Sequence, residues 1–453
     1  MTRRITDEQR DLILKYIGMG WDKEEIAKTV GVTRMQVAAV TAHRTMKTYK
    51  KDKFIEKTPL ITQEIVEPAF AEQYKRSENA ILIGKEVSSS NKIYWDPNSQ
   101  SGIGNPHLMI IGESGYGKTY ATQCLIAELV QCNIPSIVLD YGQGFTLNTV
   151  SRVFFDFAHP VEILASERGI DLNPLDIFIT DINGPINVAV RVSDTFSRIY
   201  NIGIQQHSVL QDAILESFED RGIFKDDKNT WINDPPFLSD VKEKLDKMST
   251  LKNSSKQKIA AKLDSHISTF FIFNTFRKNG EKISWKKIIN SKDMVHIIQL
   301  KGLEGKTGKV VTEFLLWDLY NYLVSEGPRP LRLFCVLDEA HNLSFEKDSP
   351  VDKLVREGRK FGLGLIFASQ QPEDFSPTAY SNTATKLVFQ VLDDTKRVSK
   401  KLALKCRNFS SPDQVLETIS KLPRGRAFFV TRNIGSIVDI LSLEERNNQW
   451  SKW

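Results

Sequence analysis

The chain has 453 residues, with 61 Lys+Arg against 56 Asp+Glu and 41% hydrophobic residues, which excludes a disordered chain and a single small module. Its four cysteines, Cys124, Cys132, Cys335 and Cys406, form no CxxC pair and join no His-flanked cluster, which excludes a zinc finger and a disulfide scaffold. The apolar runs fall well short of the ~20 residues a membrane-spanning helix needs, and the N-terminus shows no secretory leader. The expectation is a cytoplasmic protein with no membrane partner.

The net charge is concentrated at one end. Residues 1 to 57 hold 13 Lys+Arg and 8 Asp+Glu, whereas the other 396 residues balance at 48 of each. A basic head on a neutral body points to an anionic partner for the head or to a solvated terminal module. Leu12, Ile13, Tyr16 and Ile17 predict a first helix, closed by Gly18 and Gly20. A second runs from Asp22 to about Val30, with Asp22 and Glu25 as a capping box and Gly31 as its stop. Thr33 caps a third helix carrying Val37, Val40 and Thr41. This spacing resembles a helix-turn-helix and leaves Arg34, Gln36, His43 and Arg44 on or near an exposed face, for nucleic acid or for a protein surface. The lysine-rich stretch 47 to 58 reads as a linker, so residues 1–57 form a basic head and linker.

From residue 79 the pattern changes to short apolar runs, with strand candidates at 80 to 83 and 92 to 95. HLMII at 107 to 111 is a strand-length run, followed by Gly112, Glu113, Ser114, Gly115, Tyr116, Gly117, Lys118 and Thr119, and then by helix-forming residues from Tyr120. Strand, GxxxxGK[ST] loop and helix in this order define a P-loop. Its glycines let successive N–H groups turn toward phosphate, and the helix N-terminus adds its dipole. Lys118 reaches the outer phosphates and Thr119 holds Mg²⁺, so the predicted ligands are ATP and Mg²⁺.

A second buried strand, LFCVL at 333 to 337, ends in Asp338 and Glu339. Asp338 is placed to hold the metal shell and Glu339 to polarise the attacking water. The letters DEAH at 338 to 341 suggest a tandem-domain helicase, but only 115 residues follow Asp338 and no second strand-and-loop set is visible, so the expectation is one ATPase core per chain and a completing arginine from a neighbour. A helix over about 351 to 360 and a strand over 363 to 368 follow, ending in Ser369, Gln370 and Gln371. Gln370 at that strand tip is placed to sense the γ-phosphate or the attacking water, although an amide there is also ordinary turn chemistry.

These strings, GESGYGKT and VLDEAHNL through LVREGRKFGLGLIFASQQPEDF, together with ILIGKEV, IYWDP, SIVLDYGQGF, LNPLD and LPRGRAFFV, resemble the HerA/FtsK superfamily, HerA most of all. The resemblance covers roughly residues 79 to 440. It implies an α/β fold with a RecA-like P-loop NTPase core, a mostly parallel sheet and a helical insertion, joined here to a small all-α N-terminal domain. It also implies a homo-hexameric ring that pumps double-stranded DNA alongside a separate nuclease or other effector, in DNA end processing or antiphage defence. By the same resemblance Lys118 and Thr119 are the P-loop pair, Asp338 and Glu339 the metal acid and catalytic base, and Gln370 the sensor. Arg359, with Arg356 one turn before it, is the trans-acting finger, ahead of Arg424 and Arg426.

The helical, basic head departs from relatives that begin with a β-barrel, and Gln371 stands where many carry arginine. A different class of function, an ATP-controlled scaffold that activates a partner without pumping DNA, fits the same residues. Residues from about 195 to 290 read as the helical insertion, the lysine-bearing stretch KGLEGKTGK at 301 to 309 as a loop able to reach phosphate, and 441–453 as a C-terminal tail.

Overall fold

The computed structural model describes residues 6–18, 21–38, 40, 80–98, 105–250, 256–303, 305–391, 402, 411–431 and 434–450. The chain divides into two units, Met1–Lys75 and Arg76–Trp453.

In the first unit, helices Asp7–Gly18 and Lys23–Val30 enclose a separate small core of Ile13, Ile26, Ala27, Val30, Val37 and Val40. Asp22 caps the second helix by accepting from the Glu24 N–H at 2.9 Å, and Gly31 closes it in a left-handed conformation. The third helical stretch begins at Arg34. Arg34 is exposed and pairs with Glu24 at 3.3 Å. Gln36, half-buried near the face expected to be exposed, is engaged with Thr33. Its Oε1 accepts from the Thr33 N–H at 2.9 Å while the Gln36 N–H donates to Thr33 Oγ1 at 3.3 Å, a reciprocal cap that engages the amide locally. His43, Arg44 and the linker at 47 to 58 lie outside the described residues.

The second unit is built on strands β1 (Ile81–Glu86), β2 (Lys92–Trp95), β3 (Leu108–Ile111), β4 (Ser136–Asp140), β5 (Val161–Leu164), β6 (Ile170–Asp171), β7 (Glu281–Lys282), β8 (Val295–Gln299), β9 (Leu333–Leu337), β10 (Leu363–Ser369), β11 (Thr385–Val388), β12 (Arg426–Thr431) and β13 (Ile434–Ile440). Among the described residues, eleven of these form one sheet in the order β2-β1-β13-β12-β11-β3-β10-β9-β4-β8-β5. From β11 to β5 the strands run parallel, and β12, β13, β1 and β2 extend the sheet antiparallel. Every residue of β3, β4, β8, β9, β10 and β11 is buried, the pattern of a sheet covered on both faces. The strand β10 lies between the P-loop strand β3 and the acid strand β9. Its register sets Ser369 beside Ile111 and Phe367 beside Leu337, while Leu337 also pairs with Leu139 of β4. The loops after β3, β10, β9 and β4 therefore emerge along one edge.

The helical insertion begins earlier than its polar sequence suggested, at Pro185, with helices Pro185–Tyr200, Ile204–Asp220, Leu238–Thr250 and Gln257–Phe273. Phe196 meets Phe270 edge-on at 5.1 Å and Phe314 of helix Gly305–Ser325 at 6.0 Å. The insertion thus shares the main hydrophobic core and is no detached lid. Two other boundaries shift. The stretch 301 to 309 turns helical at Gly305, with Thr307 and Gly308 buried. Within the stretch 441–453, expected as a tail, helix Leu443–Trp450 inserts the fully buried Arg446 into the core.

His107, just ahead of β3, is fully buried and accepts from the Leu365 N–H through Nδ1 at 3.1 Å. Burial, with the Arg359 charge adding to it, pulls the imidazole from the usual 6.5 down to about 4. The folded chain holds the neutral ring, so the unfolded chain takes up a proton first as pH falls from 6.5 toward 4. Stability present above pH 6.5 is lost through that window, by up to about 3 kcal/mol from this group. Denaturation midpoints measured between pH 7 and pH 5 should fall more steeply for the native chain than for His107→Gln. Parallel slopes would show that His107 titrates normally.

Candidate nucleotide site

The P-loop is anchored on both sides of its strand. The Gly112 N–H donates to the Ser369 carbonyl at 3.3 Å, and the Glu113 N–H to the Gln390 carbonyl at 2.8 Å. Gly117 is the N-cap of helix Lys118–Gln131 and holds φ at 110°, a conformation that side chains resist, which opens the helix N-terminus toward the loop. Lys118 is 9% exposed, and its ammonium donates back to the Glu113 carbonyl at 3.0 Å. Burial lowers its pKa, and the nearby Glu339, Asp338 and Glu113 oppose that shift. Ser114, Gly115 and Tyr116 form the outer turn. The Tyr116 carbonyl accepts from the Gly425 N–H at 3.1 Å, and the Tyr120 hydroxyl from the Leu443 N–H at 2.9 Å.

Asp338 follows β9 and is 5% exposed. Desolvation first, then the neighbouring charges of Glu339 and Asp140, push its carboxyl up to about 7. Glu339 adopts the left-handed conformation, φ 51°, uncommon for a residue with a side chain. Its Oε2 is buried and makes no hydrogen bond, and it lies 3.2 Å from His341 Nδ1, while Oε1 lies toward Gly142. Strained backbone and an orphaned carboxylate oxygen at one residue are what a functional position shows.

The loop after β4 closes the same wedge, and the sequence reading assigned it no role. Asp140 holds it in shape, accepting from the Gly142 and Phe145 N–H groups at 3.0 Å each and from Gln299 Nε2 at 2.9 Å. Gly142 faces both Asp338 and Glu339. Gly144 packs so close that a Cβ there would come within 2.6 Å of Thr119 Cγ2 and 3.7 Å of Asp338 Oδ2. The available signal was a buried run ending in an acid and followed by two glycines, Asp140-Tyr-Gly-Gln-Gly.

The donor set fits a nucleotide with a divalent cation. The P-loop offers turned N–H groups and an ammonium for phosphate. A hydroxyl at Thr119, the buried acids Asp140 and Asp338 and the half-buried Glu339 form a charge arrangement that a cation relieves. Gln370 is exposed immediately beyond Ser369, on the same edge as Gly112. Arg359 is elsewhere. It lies in the 3-10 turn Gly358–Phe361 that precedes β10, beside His107, so the length of a buried strand, roughly 20 Å for seven residues, separates it from its own P-loop. Arg359 is exposed, whereas Arg356 pairs with the buried Asp352 at 2.9 Å. Arg426 is held by Asp439 at 2.6 and 3.1 Å through Nε and Nη2, a bidentate pair that fixes its guanidinium on a neighbouring strand. Arg424 is exposed beside the turn that touches Tyr116.

Sheet order, P-loop and acid strand together define a RecA-like P-loop NTPase. The model of the family "Helicase HerA, central domain" matches residues 81–319, a little over half of the chain. The chain belongs to this family. It is 23% identical over 368 residues to "DNA double-strand break repair helicase HerA" of Sulfurisphaera tokodaii, covering 78% of this chain and 67% of the relative. The HerA of Sulfolobus acidocaldarius is 22% identical, over 82% and 70% respectively. Among solved structures, VirB4 of Thermoanaerobacter pseudethanolicus superposes with a TM-score of 0.64 at 16% identity, over 81% of this chain and 97% of that one. The plasmid coupling protein TrwB in complex with ADP and Mg²⁺ gives 0.55 at 12%, over 82% and 90%. These likenesses carry the fold. Among the described residues no helix is long and apolar enough to cross a membrane.

Proposed function

We propose that the protein is a Mg²⁺-dependent ATPase that assembles as a homo-hexameric ring and translocates double-stranded DNA, working with a separate nuclease or other effector. The observation that carries this reading is the convergence of Lys118, Thr119, Asp338 and Glu339, whose buried Oε2 makes no hydrogen bond, at one sheet edge, in a chain of the HerA family. Backbone N–H groups of residues 112 to 119 and the Lys118 ammonium bind and orient the phosphates, with Tyr120 bordering the site. Thr119 and Asp338 hold Mg²⁺, which when bound neutralises phosphate charge. Glu339 takes the proton of the attacking water, and Gln370 positions that water or reports its loss. The relatives' description as double-strand break repair helicases supports DNA as the substrate. Service to an antiphage effector or in DNA end processing, in the cytoplasm, extends the same reading.

The test is steady-state ATP hydrolysis with and without linear duplex DNA, with mass by light scattering in the same samples. Hexamers whose turnover rises with DNA are expected. Turnover indifferent to DNA would replace the motor with an ATP-controlled scaffold.

The far position of Arg359 leaves it one catalytic route, service to a neighbour's site. Rings of Arg359→Ala alone should lose turnover by about 10³-fold or more, the scale of a missing arginine finger. Mixed rings with Lys118→Ala subunits should recover part of it, because an intact P-loop then meets an intact arginine. Full turnover by Arg359→Ala rings, or no recovery on mixing, would remove Arg359 from this role.

A further inference from the structure

The loop Tyr141–Gly144 alternates. Its glycines face inward on Thr119, Asp338 and Glu339, and its two larger residues face outward to a second segment. The Tyr141 hydroxyl donates to the Gly308 carbonyl at 3.3 Å and is also hydrogen-bonded to Thr312 Oγ1. Gln143 holds φ at 61° and accepts through Oε1 from Lys301 Nζ at 2.7 Å. At the other end of the same segment Lys309 Nζ donates to the His341 carbonyl at 3.3 Å, and His341 is the residue beside Glu339 Oε2. The lysines that flank the start of helix Gly305–Ser325 are therefore tied to the two loops that line the acids of the nucleotide site. Gly144 leaves no slack on the inner side, since its backbone fills the space against Thr119 and its carbonyl accepts from Gln123 Nε2 at 2.9 Å.

We infer that the loop Tyr141–Gly144 is a mechanical link that passes nucleotide state from Thr119, Asp338 and Glu339 to the lysine-bearing segment 301 to 309, with Gln143 and Tyr141 as its positioning residues. A shift of Thr119 on nucleotide binding moves Gly144 directly, because Gly144 packs so closely on Thr119 that a Cβ would not fit between them, and Gly142 follows as part of the same short loop beside Asp338 and Glu339. The Gln143–Lys301 and Tyr141–Gly308 bonds carry that shift to a segment whose Lys301 and Lys306 side chains are exposed. The bond to Lys301 joins a neutral amide to an ammonium, strong enough to register the loop and weak enough to re-form in a second arrangement. The role in a DNA motor rests on the function proposed above; the link itself does not.

The experiment compares the full-length native chain, Gln143→Ala and Gln143→Glu, where the glutamate keeps an acceptor for Lys301. Hydrogen exchange is followed in peptides carrying Lys301 and Lys309, with and without a Mg²⁺-bound non-hydrolysable ATP analogue, and basal and DNA-stimulated turnover are measured beside it. In the native chain the analogue should change exchange in that segment several-fold. Gln143→Ala should reduce this response at least threefold with the analogue's affinity within twofold of native, and Gln143→Glu should restore it. A native segment blind to nucleotide, or a Gln143→Ala chain that responds like the native one, overturns the link. If the segment responds while DNA leaves turnover unchanged, the link stands and the motor reading is what fails.

Discussion

Replacing Glu339 with glutamine should lower ATP turnover by about 10²- to 10⁴-fold, the contribution of a positioned general base, while nucleotide affinity stays near native. Glutamine keeps the volume and removes the negative oxygen that the structure leaves buried without a hydrogen bond. The substitution also relieves the repulsion that helps raise Asp338, so nucleotide binding should hold or strengthen. Turnover in a stopped assay and binding of a fluorescent nucleotide analogue measure the two effects separately. If affinity falls together with turnover, Glu339 shapes the binding site and the base must be sought elsewhere. His341, 3.2 Å from Glu339 Oε2, would be the next residue to replace.

The sequence announced those parts of the protein whose physics is local. Buried parallel strands are continuous apolar runs, and β9 falls at the residues its run LFCVL marks. The P-loop glycines and the caps of the head helices were equally legible, because one backbone conformation dictates each of them. What escaped depends on register between distant strands. Nothing in the stretch after β4 states that Gly144 will rest on Thr119, because that contact exists only once β4 and β3 stand on either side of β9 and β10. Arg359 shows the converse. Its sequence distance from the acids suggests closeness, but parallel topology returns the chain to the start of β10 before Gln370 is reached, so the arginine and the glutamine stand at opposite ends of one strand. The lysine stretch 301 to 309 was read as a loop for its glycines, yet Gly308 and Thr307 are buried in a helix packed on the insertion.

The last eight described residues were the least legible of all, since LEERNNQW is strongly polar. Their helix is held by Arg446, whose guanidinium is fully buried. Its Nε donates to the Leu441 carbonyl at 3.0 Å, Nη2 to the Ile83 carbonyl at 2.6 Å, and Nη1 to Leu82 O and to Glu128 Oε1, the latter at 3.0 Å. Glu128, in the P-loop helix, also accepts from the Leu82 N–H at 3.3 Å. One side chain thus joins strand β1, the C-terminal helix and the helix that begins at Lys118. Arg446→Ala should cost about 3–5 kcal/mol, because it leaves the Glu128 charge buried without its partner and strands carbonyl groups inside the fold. Thermal or urea unfolding would read the loss directly. Arg446→Ala with Glu128→Gln should be less damaging than the sum of the two single changes, since the uncompensated charge is then gone. Additive losses would mean that the pair is incidental and that the backbone bonds of Arg446 alone hold the helix. Leu443 also hydrogen-bonds Tyr120, one residue beyond Thr119, so on the function proposed above Arg446→Ala should lower ATP turnover as well as stability. The C-terminal helix is in this way a brace for the phosphate loop, a role its polar composition conceals.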